Sequence, residues 1–304
     1  MFGLSTSWNA ARFTQGKDLI FEIKAIGFET VELSFNLTGD MVREIAELAV
    51  RGQIKVLSLH NFCPIPETFK REEALPDSYS LASLDEQERS EALRYTKRSI
   101  DTAKRVGAKA VVLHCGRVEI KDYTRDLIAL YEAGRVRSPH FIELKERAIV
   151  ERQQEAAPFF NKALKSIEEL NVYAGSLSIA LGIENRFYYR EIPSFKEIGI
   201  ILKEFKGSNI FYWHDTGHAE IMDNLGFAKH RGHLEGYAQS MLGIHLHNVK
   251  GCLDHQPPSR GDFDFKQLKP YLRQDTIKII EAHSPASAED LVLSKKYLEE
   301  IFNG

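Results

Sequence analysis

The sequence has few cysteines and no long apolar run, and each of these absences excludes a class of protein. Its three cysteines, Cys63, Cys115 and Cys252, are odd in number and widely spaced, which predicts free thiols in a reducing compartment and no disulfide framework. No run of about 18 apolar residues occurs, and the amino terminus lacks a basic stretch followed by an apolar core. We therefore expect a soluble cytoplasmic protein.

The charge balance gives no electrostatic signature of a DNA-binding or membrane-binding surface. The formal net charge is −3 at pH 7, whereas a nucleic-acid-binding domain usually carries a basic face. A local basic patch can still exist within a balanced total. The composition therefore argues weakly against a nucleic-acid partner.

Short runs of β-branched or large apolar residues alternate with segments of helical periodicity along the chain. The predicted strands lie near residues 2–5, 30–34, 55–60, 109–114, 179–184, 209–214, 242–247 and 277–281. The predicted helices lie at 17–27, 38–51, 84–107, 142–173, 193–206, 231–240, 264–272 and 287–302. This alternation predicts an α/β fold, namely a (β/α)8 barrel that residues 1–304 form as a single domain.

Two other architectures fit the sequence less well. A doubly wound open sheet usually has a Gly-x-Gly-x-x-Gly turn after its first strand, but here Ser5-Thr-Ser-Trp-Asn9 follows that strand. Two smaller domains would need a linker, and no Pro/Gly/Ser-rich segment separates two cores. Excursions at 61–83 and 115–141 follow the third and fourth predicted strands. We expect them either to shape a substrate pocket or to be solvated surface.

Polar residues that can bind a metal ion end most of the predicted strands. These residues are His60, His114, Glu184, Asp215, His245 with His247, and Glu281. The carboxyl ends of parallel barrel strands meet at one mouth, and imidazoles and carboxylates bind divalent ions there. The sequence therefore predicts an ion at the mouth. The alternative for each glutamate is an ion pair with a neighbouring basic residue such as Arg186.

Two motifs sharpen this prediction. In Asp215-Thr-Gly-His218 the carboxylate can face an ion while Gly217 lets His218 turn back toward the same cavity. The alternative is a helix cap with a surface histidine nearby. His245 and His247 share one strand face because side chains alternate with period two. We expect His245 to be a ligand and His247 to support the ligands or contact the substrate.

Taken in order, these residues resemble the ligand set of the xylose isomerase-like TIM barrel superfamily. The matching segments are His60, Val111-Val-Leu-His-Cys-Gly116, Glu184-Asn185, Asp215-Thr-Gly-His218, His245-Leu-His-Asn248 and Glu281. The superfamily contains sugar isomerases and epimerases and also the type IV apurinic endonucleases. The resemblance covers nearly the whole chain, and it identifies the superfamily better than the substrate.

Features of both branches occur in the sequence. The segment 256–265, Gln-Pro-Pro-Ser-Arg-Gly-Asp-Phe-Asp-Phe, and the segment 27–34 with Glu32 resemble the isomerase and epimerase branch, in which the second-strand glutamate lies near the sugar site. The endonucleases hold three zinc ions, the last partly by Asp-x-His, but here Asp254 directly precedes His255. This departure argues against a third ion. In contrast, His60 and His114 correspond to ligands of the first endonuclease zinc.

Aromatic and basic residues near two strand ends are candidates for substrate contact. Arg186 and Arg190, with the tyrosines between them, can clamp a carboxylate or phosphate, or can form an aromatic-packed loop with solvated arginines. Trp8 can stack on a sugar ring or plug the barrel end.

The sequence thus predicts an enzyme, a divalent-metal-dependent isomerase or epimerase of a sugar or sugar derivative. The metal ion is expected to be Mn, Zn, Co or Mg, and the expected partner is a small carbohydrate. The sequence leaves open whether the protein forms a homo-oligomer. The expected metal ligands are Glu184, Asp215, His245, Glu281, His60, His114, His218 and His255. The expected catalytic residues are Glu184 and Glu281, and the expected substrate contacts are His218, His247, Arg186, Arg190, Glu32 and Trp8. The alternatives are a multinuclear zinc phosphodiesterase of the apurinic endonuclease kind, a related dehydratase and a non-catalytic sugar-binding barrel.

Overall fold

The computed structural model describes residues 1–303, and within that range parallel strands close into a barrel. The barrel strands are β1 (Gly3–Ser5), β2 (Thr30–Leu33), β3 (Lys55–His60), β4 (Ala110–Leu113), β5 (Ala180–Glu184), β6 (Ile210–Asp215), β7 (Met241–Leu246) and β10 (Ile277–Ile280). They pair in the order β1-β10-β7-β6-β5-β4-β3-β2. Each predicted strand overlaps an observed one, so the predicted (β/α)8 barrel is confirmed.

The helices surround this barrel. They are α1 (Gly16–Ala25), α2 (Gly39–Val50), α3 (Glu86–Val106), α4 (Thr124–Glu132), α5 (Pro139–Leu177), α6 (Phe195–Glu204), α7 (Thr216–Asn224), α8 (His230–Tyr237) and α9 (Ala288–Asn303). Thr38 and Asp85 cap α2 and α3 through their side-chain oxygens, because the first backbone N–H groups of a helix have no partner within it.

Three local features differ from the sequence prediction. The helix expected at 264–272 is a short 3-10 turn, Phe265–Leu268, and Pro270 lacks the backbone N–H that would continue the helical hydrogen bonds. Helix α4 lies inside the excursion at 115–141, and α7 begins immediately after β6. Strands β8 (Asn248–Lys250) and β9 (Leu253–Gln256) form an antiparallel hairpin beyond β7. Helix α4 and the hairpin were not predicted from the sequence, and a helix beginning at Asp215 was considered only as the alternative interpretation of the Asp-x-x-His motif.

Trp213 fills the barrel interior below the strand ends. The indole is fully buried on β6, and two glycines on the flanking strands make room for it. A Cβ at Gly243 would lie 2.2 Å from the Trp213 ring, and one at Gly182 would lie 2.8 Å from it. The ring contacts His245 edge-on, with centroids 5.2 Å apart. Trp213 therefore forms a closed floor under the residues at the mouth.

The state of the cysteines and the character of the helices agree with what the composition indicated. Cys63, Cys115 and Cys252 are buried free thiols, as predicted. None of the helices described in residues 1–303 combines the length and apolar character needed to cross a membrane.

Candidate metal centre

Four side chains from neighbouring strand ends converge on one point above Trp213. Glu184 ends β5, Asp215 ends β6, His245 lies near the end of β7, and Glu281 directly follows β10. One ligand atom from each lies within 4.8 Å of the others, and all four side chains are buried. These four residues are called the principal centre below. Three carboxylates and an imidazole in this arrangement form a divalent-cation donor set.

The imidazole of His245 presents one nitrogen to the carboxylates of the principal centre. Its Nδ1 lies 2.7 Å from Glu184 Oε1, 2.8 Å from Glu281 Oε2 and 3.6 Å from Asp215 Oδ2. On the other side of the ring, Nε2 lies 3.0 Å from Glu32 Oε1. Carboxylates only accept, so both ring nitrogens carry a hydrogen in the doubly protonated imidazole. A cation at the principal centre would take the place of the Nδ1 hydrogen, and Glu32 would keep the hydrogen on Nε2.

The electrostatics of His245 point the same way. Burial alone would lower its pKa, but the carboxylates of Glu281 and Glu32 outweigh burial and hold the pKa well above its ordinary value. The site therefore attracts positive charge strongly enough to keep a proton on a buried imidazole. A divalent ion competes for the same place, and its binding would release that proton.

A second group of possible ligands shares Glu184 with the principal centre. His114 Nε2 lies 2.6 Å and His60 Nε2 lies 3.8 Å from Glu184 Oε2. The other ring nitrogens face acceptors, because His60 Nδ1 lies 3.0 Å from the Asn61 carbonyl and His114 Nδ1 lies 3.2 Å from Asp77 Oδ1. Both histidines thus turn Nε2 toward the shared carboxylate, as metal ligands supported by an acceptor do. Asp77 comes from the excursion at 61–83, which therefore reaches the site.

The Asp-x-x-His motif combines both of its predicted roles. Asp215 Oδ1 accepts a hydrogen bond of 2.7 Å from the backbone N–H of His218 and so caps α7, while its carboxylate belongs to the principal centre. His218 Nδ1 donates to the Asn185 carbonyl at 3.0 Å. This leaves His218 Nε2 as an acceptor at the wall of the cavity.

His247 supports the centre through Asp215. Its Nε2 donates to Asp215, at 2.9 Å from Oδ1 and 3.0 Å from Oδ2. Its Nδ1 accepts from the backbone N–H of His255 at 2.9 Å. Both ring nitrogens are therefore occupied, and His247 has no lone pair left for a metal ion.

The cavity above the principal centre is small and partly apolar. Its volume is about 180 Å³, and Phe35, Pro76 and Phe187 line it together with residues of both ligand groups. Pockets for drug-sized ligands usually span about 300–1,000 Å³. The space therefore suits a compact polar molecule.

Arg186 lies in the wall of this cavity. Its guanidinium donates to Glu184 Oε2 at 2.8 Å and lies 3.3 Å from Glu191 Oε1. The ion pair between Arg186 and Glu184 was the alternative to a metal site at the sequence level. The structure contains both this ion pair and the cluster of possible ligands. Arg186 also gives the cavity a fixed positive charge.

Three predicted substrate contacts lie away from the cavity wall. Glu32 is fully buried against His245 and also accepts from Ser58 Oγ at 2.7 Å. Trp8 is buried and donates from Nε1 to the Ala286 carbonyl at 2.8 Å. Arg190 donates to the Ile120 carbonyl at 3.5 Å. Their positions suit support of the fold or of the ligands.

Some contributors to the site had been given no role from the sequence. The side-chain amide of Asn185 holds the Asp215 backbone, accepting from its N–H at 2.8 Å and donating to its carbonyl at 2.9 Å. The Tyr212 hydroxyl donates to the side-chain oxygen of Asn185. His283 lines the cavity. Its position two residues after Glu281 was a usable signal, because side chains in extended chain alternate with period two. Asp77 had no local signal, since it lies in an irregular loop.

Comparison with known proteins agrees with this geometry. The family model described as "Xylose isomerase-like TIM barrel" matches residues 20–300, while no curated protein matches the sequence. Among similar solved structures, the apo 3-keto-D-glucoside 4-epimerase YcjR from E. coli is 15% identical, with a TM-score of 0.67 and 98% of each chain covered. The IolI protein with a bound zinc atom is 14% identical, with a TM-score of 0.67 over 99% of this chain and 98% of that one.

A third similar structure is the D-allulose 3-epimerase from Methylomonas sp. in complex with D-allulose. It is 14% identical, with a TM-score of 0.66 over 99% of this chain and 95% of that one. At such identities the likeness to these three structures establishes the fold.

Proposed function

This chain belongs to the xylose isomerase-like TIM barrel family, and we propose that it is a divalent-metal-dependent isomerase or epimerase of a sugar or sugar derivative. The observation that carries the proposal is the convergence of Glu184, Asp215, His245 and Glu281 on one point, with Nδ1 of His245 facing the carboxylates of Glu184 and Glu281. Mixed carboxylate and imidazole donors suit Mn, Co or Zn, and Mg is the harder alternative.

The metal ion supplies one part of the chemistry. When bound, it polarises neighbouring carbonyl and hydroxyl oxygens of the substrate and acidifies the hydrogen on the carbon next to the carbonyl. The similar structures support a carbohydrate substrate, since two of them are sugar epimerases.

Glu184 and Glu281 are the proposed proton-transfer groups. They approach His245 Nδ1 from two strand ends, at 2.7 and 2.8 Å, so a substrate carbon above the centre is within reach of both. Burial raises the pKa of Glu184, but His114 and the other histidines around it outweigh burial and hold it well below its ordinary value. An ionised Glu184 can remove the proton. Return from the opposite carboxyl inverts the carbon, whereas return to the neighbouring carbon gives an isomer.

Other residues of the cavity would orient the substrate. His218 offers Nε2 as an acceptor to a substrate hydroxyl, and Arg186 offers positive charge to an acidic substituent. The small volume favours a monosaccharide-sized substrate over a polymer.

The test is exchange of carbon-bound hydrogen with solvent. We expect wild-type protein loaded with Mn²⁺, Co²⁺ or Zn²⁺ to introduce deuterium from D2O next to the carbonyl of at least one member of a panel of ketoses and keto-sugar derivatives, followed by NMR. Glu184→Gln should abolish exchange and turnover, while Glu119→Gln, at an exposed acid in the loop after β4, should retain both. Full activity of Glu184→Gln would exclude this mechanism. Binding without exchange would favour a non-catalytic sugar-binding barrel, and loss of water from the substrate would identify a dehydratase.

A multinuclear zinc phosphodiesterase is the second candidate. The observation that favours it is the group of His60, His114 and Glu184 beside the principal centre. The loop after β4 argues against a DNA-binding face, because Arg117, Lys121 and Arg125 are each paired with a nearby acid. Three tightly held zinc ions per chain and cleavage of abasic duplex DNA would establish this candidate.

A further inference from the structure

A group of buried polar side chains lies behind β6, on the face opposite to the principal centre. Side chains alternate along a strand, so Tyr212 and His214 point away from the barrel interior that Trp213 fills. Both are fully buried, and His230 on α8 is buried beside them. None of these three polar residues lines the cavity, and the proposed proton transfer uses none of them. Their burial is costly unless each finds a hydrogen-bond partner.

A continuous series of hydrogen bonds satisfies these side chains. Glu220 of α7, whose side chain is partly exposed, places Oε2 2.8 Å from His230 Nδ1. His230 Nε2 lies 3.0 Å from His214 Nε2, and His214 Nδ1 lies 2.7 Å from the Tyr212 hydroxyl. The His214 and His230 rings meet nitrogen to nitrogen, since their centroids are 5.0 Å apart. The series thus leads from the edge of α7 to the back of β6.

The series continues from Tyr212 to a residue of the principal centre. The Tyr212 hydroxyl lies 2.8 Å from Asn185 Oδ1. The same oxygen accepts from the Asp215 N–H at 2.8 Å, and Asn185 Nδ2 donates to the Asp215 carbonyl at 2.9 Å. These two backbone contacts fix which end of the amide faces Tyr212. The relay is the name used below for the whole series, which consists of Glu220, His230, His214, Tyr212 and Asn185.

The position of the Tyr212 hydrogen distinguishes two arrangements of the relay. In the first, Tyr212 donates to Asn185 and accepts from His214 Nδ1. His214 Nε2 then accepts from His230, so His230 carries a hydrogen on both nitrogens and a positive charge. In the second, His230 is neutral, the bonds between His230 and Tyr212 reverse, and no hydrogen is left between the Tyr212 and Asn185 oxygens. Glu220 favours the first arrangement, because its carboxylate faces the charged imidazole at 2.8 Å.

We propose that Glu220 positions Asp215 through the relay, and that the relay thereby sets how tightly the principal centre holds a cation. Loss of the Glu220 charge favours the second arrangement, which removes the hydrogen bond from Tyr212 to Asn185. The Asn185 amide is then held less firmly, and so is the Asp215 backbone that it binds. Glu220 and Tyr212 are positioning residues. The inference rests on the proposed function only for the presence of a cation at the principal centre.

The first experiment measures Co²⁺ affinity of the full chain in a double-mutant cycle, by competition with a chelator. Glu220→Gln removes the charge, and Tyr212→Phe removes the hydroxyl through which the charge acts. Each single variant should bind Co²⁺ about 2–30-fold more weakly than wild type. The double variant should bind as Tyr212→Phe does, because the relay is already interrupted. Glu235→Gln, at an exposed acid on α8, should match wild type.

The second experiment needs no cation. The amide resonance of Asp215 in the metal-free protein reports the hydrogen bond from its N–H to Asn185. This resonance should shift in Glu220→Gln and in Tyr212→Phe, and it should stay in place in Glu235→Gln. Glu220→Gln keeps the size of a partly exposed side chain, so it carries both experiments if Tyr212→Phe does not fold.

Three results would overturn the inference. The first is an unchanged Co²⁺ affinity in Glu220→Gln, and the second is an unmoved Asp215 resonance in that variant. The third is a double variant whose loss is the product of the two single losses, because two independent structural effects would give this result. A protein that binds Co²⁺ but converts no sugar would contradict the proposed function and leave both experiments valid. A sugar-converting protein in which Glu220→Gln binds Co²⁺ as wild type does would contradict this inference alone.

Discussion

Replacing Glu32 by glutamine should weaken the principal centre without removing any of its ligands. Glu32 is fully buried, and its two oxygens lie 3.0 and 3.2 Å from His245 Nε2. A carboxylate can only accept, so it keeps the hydrogen on Nε2. A glutamine amide can donate to Nε2 instead, and the hydrogen then moves to Nδ1, the atom that faces Glu184 and Glu281.

The expected magnitude follows from the role of this contact. Mutation of a residue that orients a metal-bound histidine typically costs about 10–100-fold in metal affinity, or about 1.4–2.8 kcal/mol. The upper half of this range is expected, because both oxygens face the imidazole in a fully buried setting. Ser58→Ala is the matched control, since Ser58 donates to Glu32 at 2.7 Å but leaves the carboxylate in place.

The assay is competition between the protein and a chelator of known affinity for Zn²⁺ or Mn²⁺, with circular dichroism to verify the fold. The order of affinity should be wild type, then Ser58→Ala, then Glu32→Gln well below both. Equal affinities of Glu32→Gln and wild type would refute the tautomer argument. An equal loss in Ser58→Ala would attribute the effect to general packing around Glu32.

Three further perturbations test other parts of the structure. Gly217→Ala should destabilise the fold by about 1–3 kcal/mol, because its Cβ would lie 2.1 Å from His247 Cε1, whereas Gly39→Ala, with Arg98 3.7 Å away, should change the melting temperature little. Burial and the neighbouring His230 lower the pKa of His233 to about 3, so the unfolded chain binds this proton first as the pH falls. His233 alone should therefore contribute a decrease of about 1.4 kcal/mol per pH unit to the unfolding free energy below about pH 6. Urea titrations from pH 6.5 to 4.5 should show a shallower decrease in His233→Gln, and equal slopes would contradict the assignment. Removing the ion with a chelator at pH 7 should lower the melting temperature, and adding Mn²⁺ or Zn²⁺ should restore it; no change on removal would argue against a structural role for the ion.

The barrel and the principal centre could be predicted because both depend on local patterns. Apolar runs that end in Glu184, Asp215 or Glu281 identify strand ends, and the barrel topology then brings these ends together. The hairpin of β8 and β9 is short and polar, with burial that does not alternate cleanly, so it has no period-two signal. The start of helix α7 was hard to recognise in the sequence because no loop separates it from β6: Asp215 both ends β6 and caps α7.

The roles of individual side chains were harder to predict. Glu32 was expected to contact the substrate, and His247 either to support the ligands or to contact the substrate; each lies within hydrogen-bond distance of a residue of the principal centre. Sequence alternation fixes which face of a strand a residue occupies, but its depth along the barrel axis depends on the register between strands. Asp77 reaches His114 from an irregular loop, and the path of such a loop depends on contacts distant in sequence.

The position of Trp213 has a consequence for the order in which ligands would bind. The principal centre lies between this indole and the cavity, and its four residues have at most 4% of their surface exposed. Under the proposed function, an ion at the principal centre would reach it only through the cavity that takes the sugar, so it would bind before the sugar and leave after it. A bound sugar would block the path of the ion to solvent, so the dissociation rate of the ion should fall as the sugar concentration rises.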